Sequence, residues 1–137
     1  MRKILLLVFI LLGSIAFSQQ QNVTYTITPA TFEETTAITI TINGSSINEA
    51  TWGVTGNALY MWAWAFDTND TTPKGTPLNG AWTASDEAAR FTYNAGSDTY
   101  TKTITPATYY NATGIGKIGF LIKAKDGTGD KKSQNIL

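Results

Sequence analysis

The chain has 137 residues, 10 basic and 10 acidic side chains, 42% hydrophobic residues, and neither cysteine nor histidine. An even charge balance excludes the basic footprint of a nucleic-acid binder. The missing cysteine and histidine exclude a disulfide framework and remove the commonest general base and metal ligands.

The chain opens on Arg2 and Lys3, followed by an unbroken apolar run from Ile4 to Leu12. Ala16-Phe17-Ser18 then sets small residues at the −3 and −1 positions of a processing site. This pattern predicts a signal peptide over 1–18, with Gln19 as the mature N-terminus. The run is far short of the roughly 20 residues a spanning helix needs, so no membrane anchor is expected after cleavage. A lipid anchor would need a cysteine. Without Arg2 and Lys3, 8 basic residues face 10 acidic ones, a net charge of about −2. The remaining segment, 19–137, has room for one hydrophobic core.

Within that segment Val23 to Thr28 alternates, with Val23, Tyr25 and Ile27 on one face and threonines on the other. Ile38, Ile40 and Ile42 alternate with Thr39 and Thr41 in the same way. Both read as half-buried strands joined by a turn over Pro29 to Thr35. A loop carrying Trp52 and Gly53 leads to the strongest strand, Leu59 to Phe66. From Asp67 to Asn79 the chain is rich in Pro, Gly and Asn and reads as irregular, with Trp82 emerging beyond it in a loop-like setting. Arg90 to Tyr93 and Thr99 to Ile104 read as a hairpin around Asn94 to Asp98. Pro106 to Tyr110 reads as one helical turn capped by Thr105. Lys117 to Lys125 is a strand with Ile118, Phe120, Ile122 and Ala124 on one face and lysines on the other. A turn over Asp126 to Asp130 precedes a last strand beginning near Lys131. Short strands, frequent turns and little helix predict an all-β, immunoglobulin-like antiparallel sandwich.

Leu59 to Phe66 is apolar on both faces: Tyr60, Trp62, Trp64 and Phe66 on one, Leu59, Met61, Ala63 and Ala65 on the other. Either the aromatic face fills the core or part of it is displayed. Trp62 reads first as a core aromatic, the counterpart of the buried strand-C tryptophan of immunoglobulin-like domains. Trp64, nearer the strand end, fits either role. Trp82 has little core to fill unless it folds back as a plug, and it reads either as a loop anchor or as a reachable indole, which stacks on the C–H face of a sugar ring while its N–H donates to a hydroxyl. Lys117, Lys123 and Lys125 read first as a solvated sheet face, and Lys123 or Lys125 could donate to sugar hydroxyls beside the tryptophans. Asp126 and Asp130 lack the spacing of a calcium loop, so no metal or cofactor is expected. The sequons at Asn22, Asn43, Asn69 and Asn111 carry no weight in a chain so rich in Asn and Thr. The acidic residues lie in turns with no spacing that pairs an acid with a base, so intrinsic catalysis is not expected.

Several stretches together carry a family resemblance: TITPATFEETTAITITIN, LYMWAWAF, the isolated Trp82, DTYTKTITP, and IGKIGFLIKAKDGTGDKKSQNI. They resemble the starch-binding sandwich modules of polysaccharide-utilisation proteins in Gram-negative bacteria. The similarity is greatest to copies placed directly after the signal peptide of secreted alpha-amylase-type glycoside hydrolases. It covers Val23 to Ile136. What it implies is a non-catalytic module binding polysaccharide, above all α-glucan, in a secreted or periplasmic protein with a catalytic domain downstream. It also implies a site of two aromatics and a cation, here Trp62 or Trp64, Trp82, and Lys123 or Lys125. The competing expectation is an immunoglobulin-like spacer or adhesion module whose tryptophans are all core.

Overall fold

The computed structural model describes residues 18–69 and 73–137. The signal-peptide expectation therefore falls, Ser18 apart, outside the described residues. In chain order the elements are β1 (Tyr25–Thr28), β2 (Ile38–Asn43), α1 (Glu49–Trp52), β3 (Leu59–Asp67), β4 (Lys74–Gly75) and β5 (Gly80–Ala81). They continue with β6 (Ala84–Ser85), β7 (Thr92–Asn94), β8 (Thr99–Ile104), α2 (Pro106–Tyr109) and β9 (Ile115–Ala124).

Two antiparallel sheets form a sandwich, one ordered β1-β2-β8-β7 and the other β4-β3-β9. Isolated bridges Phe120–Ile136 and Lys123–Lys132 add the segment after β9 to the free side of that strand, and Gln21 pairs with Ser133 in parallel. The two orders match the ABED and C′CFG sheets of an immunoglobulin-like sandwich, with β4 as the C′ edge. The small hairpin β5-β6 stands apart from both sheets.

Alternation decides which side chains meet between the sheets. Ile38, Ile40 and Ile42 of β2, and Leu59, Met61 and Ala63 of β3, are fully buried. They meet Phe120, Ile122 and Ala124 of β9 in one core. Each such Ile or Leu contributes about 1.5–3 kcal/mol by leaving water. In β9 the inward-facing residues are those expected from its alternation.

Several local expectations are corrected. Tyr25 is 37% exposed, because β1 is an edge strand and its ring meets Phe120 only edge-on, at 6.2 Å. Thr105 makes no side-chain cap for α2. The segment before Trp82 contains β4 and a 3-10 turn, Pro77–Asn79, where irregular chain was expected. Trp82 itself sits at the tip of the β5-β6 hairpin, Gly80 pairing with Ser85 and Ala81 with Ala84.

The tryptophans give the largest correction. No inward position of β3 holds an aromatic, so Trp62 is not the core tryptophan. That place belongs to Trp52, 1% exposed at the end of α1, whose indole N–H donates to the Gln19 carbonyl at 2.6 Å. Gly53 lets the chain turn away behind it, closing α1 in the left-handed region at φ 66°.

Candidate functional site

The outer face of the β3-β9 pair carries the aromatic row. Its register sets Tyr60 opposite Lys123, Trp62 opposite Leu121, Trp64 opposite Gly119 and Phe66 opposite Lys117. Tyr60 is buried, whereas Trp62, Trp64 and Phe66 are half-buried. This face lies outside the core between the sheets, yet it buries Tyr60, Leu121 and Lys123 and leaves three aromatic rings half-open.

Trp82 reaches this face because the chain before it is pinned to β3. Asn79 is buried and acts as a one-residue strand: the Ala63 N–H donates to its Oδ1 at 2.8 Å, and its Nδ2 donates to the Ala63 carbonyl at 2.9 Å. Gly80 then turns the chain at φ 69°, where a Cβ would lie 2.5 Å from the Asp86 nitrogen. Only glycine fits that conformation. The far strand of the hairpin is tied to the end of β9, the Ser85 N–H donating to the Lys125 carbonyl at 3.1 Å. The Gly127 N–H donates to the Trp82 carbonyl at 3.0 Å.

The hairpin brings Trp82 against Trp62, with ring centroids 5.1 Å apart and planes at 82°. Below them lies Lys123, fully buried. Its Nζ donates to Ser85 Oγ at 2.6 Å and to the Lys125 carbonyl at 2.9 Å. It stands 5.1 Å from the Trp82 ring centroid and 6.0 Å from that of Trp62. Burial pushes the Lys123 ammonium down to about 8, partly offset by the Asp126 carboxylate. Lys123 thus sits on the expected outer face of its strand, but the hairpin roofs it. It supports the two indoles from beneath, and two of its donors are already engaged.

Lys125 lies just past the end of β9 and is exposed. Its Nζ donates to Glu87 Oε1 at 2.6 Å and stands 5.7 Å from the Tyr60 ring centroid. Tyr60 donates to the same oxygen at 2.9 Å. Hydrogen bonds from Lys125 and then Tyr60 hold the Glu87 carboxyl below its ordinary range. Glu87 was not singled out in the sequence. Nothing local marks it, since its partners lie 27 and 38 residues away.

Of the five residues expected at the site, Trp62, Trp82 and Lys123 meet directly, Lys125 lies at one end through Tyr60 and Glu87, and Trp64 follows Trp62 along β3. The indole N–H groups of Trp62, Trp64 and Trp82 have no acceptor among the described residues, and none is sealed from solvent. Half-open indoles with free donors, beside a Lys–Glu pair, can stack on an apolar ring face and bond to hydroxyls. Among the described residues no cluster of acidic side chains could hold a metal ion. Comparison of the chain with protein-family models, curated proteins and solved structures gives no match.

Proposed function

We propose that this chain is a non-catalytic carbohydrate-binding module that holds polysaccharide on the outer face of its β3-β9 sheet. The observation that carries the reading is the Trp62–Trp82 pair: two contacting, half-buried indoles outside the core, whose N–H groups have no acceptor among the described residues. Lys125 and Glu87 supply a donor and an acceptor beside them. Lys123 holds the indoles in place. The preference for α-glucan rests on the family resemblance. So do the downstream glycoside hydrolase domain and the secreted or periplasmic location, to which the expected signal peptide adds support.

Stacking plus a few hydrogen bonds gives modest affinity, a Kd of about 10⁻³ to 10⁻⁵ M. Tethering then raises the local concentration of polysaccharide at the attached catalytic domain. Titration of the mature chain with maltoheptaose, followed by tryptophan fluorescence, tests the reading. Saturable quenching that is lost in Trp82→Ala, with circular dichroism unchanged, is expected. A flat titration across α- and β-glucans would leave a spacer module as the better description.

A further inference from the structure

The outward row on β3 is closed at both ends by a lysine over an aromatic ring. Lys125 Nζ stands 5.7 Å from the Tyr60 centroid, and Lys117 Nζ stands 4.6 Å from that of Phe66. The half-open indoles of Trp62 and Trp64 lie between.

Two glycines set the planes of the indoles at this face. A Cβ on Gly127 would fall 2.5 Å from Cε2 and 2.7 Å from Nε1 of Trp82, so the indole takes the space a side chain there would need. Gly119, directly opposite Trp64 in the register, serves Trp64 in the same way: a Cβ there would fall 2.3 Å from Nε1 and 2.4 Å from Cε2. Neither glycine has the positive φ that only glycine takes easily. Gly119 also stands inside a strand, where glycine weakens the sheet. Both are there for space. Leu137 Cδ2 lies 2.8 Å from the same Cβ position on Gly119, and Trp64 between them stays half-buried, with part of its indole open to solvent.

Trp62 and Trp64 are two positions apart on one strand, so their attachment points are separated by about 6.6–6.8 Å. A single sugar ring resting in the Trp62–Trp82 corner cannot also cover the Trp64 shelf. We propose that Trp64, seated on Gly119, is a second stacking plane, so the face takes a glycan chain several rings long and not a chain end or single sugar. The inference rests on the carbohydrate-binding reading above. Gly119 is a positioning residue in it, acting only through the Trp64 plane.

The test is a length series, maltose to maltoheptaose, titrated calorimetrically against the mature chain and its Trp64→Ala, Gly119→Ala and Trp82→Ala variants. The wild type is expected to gain affinity with length. Trp64→Ala and Gly119→Ala should each lower maltoheptaose affinity about tenfold, the scale of one stacking contact, and leave maltose affinity unchanged. Trp82→Ala should weaken both ligands. Should Gly119→Ala not fold, Trp64→Ala decides alone, because it removes atoms from an outer face. Unchanged maltoheptaose affinity in Trp64→Ala, with Trp82→Ala still damaging, overturns the second plane and leaves the module a binder. No binding by the wild type at any length overturns both.

Discussion

The two sheets follow the same rule inward and opposite rules outward. Inward, both present aliphatic and aromatic side chains to one core. Outward, the β1-β2-β8-β7 sheet presents threonines in register, Thr28 with Thr39 and Thr103 in one row, Thr26 with Thr41 and Thr101 in the next. The other sheet presents Tyr60, Trp62, Trp64 and Phe66. Threonine and tryptophan are both good strand residues, so strand propensity separates the two faces not at all. The difference is that the threonine face meets the needs of a solvated sheet, whereas the aromatic face leaves apolar surface half-open and draws a third tryptophan onto it from a dedicated hairpin. The proposed carbohydrate binding would give that surface a use.

The contrast can be broken most directly at the tryptophans. Trp52→Ala removes a core indole and strands the Gln19 carbonyl, and should cost about 3–5 kcal/mol in denaturant unfolding. Trp62→Ala should cost far less stability and instead weaken oligosaccharide binding by about 10–100-fold. If Trp62→Ala unfolds the domain as readily as Trp52→Ala, the outer face is structural and the contrast fails.

Asn79→Ala probes how the hairpin is held. It leaves both backbone groups of Ala63 without their partner, a loss of about 1–3 kcal/mol for each stranded group. Binding should fall with it, since Trp82 is then no longer fixed. Full stability in this variant would mean that β4 or water takes over the role of Asn79.

Lys123 gives a pH test with a defined sign. The unfolded chain holds this proton up to the ordinary lysine value near 10.5, and the folded chain releases it near 8. Between those values the unfolded state binds more protons, so stability gained by deprotonation grows as pH rises. Wild type should therefore gain on Lys123→Met between pH 8 and 9.5, with a slope of up to about 1.4 kcal/mol per pH unit. A flat or falling difference would mean that Ser85 and the Lys125 carbonyl compensate fully for the burial of the charge.

The smallest effect belongs to the other sheet. Thr41→Val with Thr101→Val should change stability by no more than about 0.5 kcal/mol per site and leave oligosaccharide affinity unchanged.

Much of the architecture is legible in the sequence because period-two alternation is a local signal. Ile38, Ile40 and Ile42 declare their buried face, the Asn94–Asp98 turn declares its hairpin, and Ile118 to Ala124 declares the inner face of β9. β3 could not declare its faces, because both are apolar and alternation then carries no direction. The burial of Trp52 was hidden because its partner, the Gln19 carbonyl, is 33 residues away. For Lys123, alternation gives the correct face but not the roof, which comes from a hairpin 38 residues earlier. Glycines 119 and 127 read as ordinary strand and turn residues until the indoles lying on them are seen.

The four tryptophans offer four indole N–H probes in one molecule. A proton–nitrogen NMR spectrum of the mature chain, recorded while maltoheptaose is added, reads all of them at once. The indole resonances of Trp62, Trp64 and Trp82 should move together and saturate, while that of Trp52 stays in place. Four unmoved resonances, or a shift confined to Trp52, would contradict binding at the aromatic face.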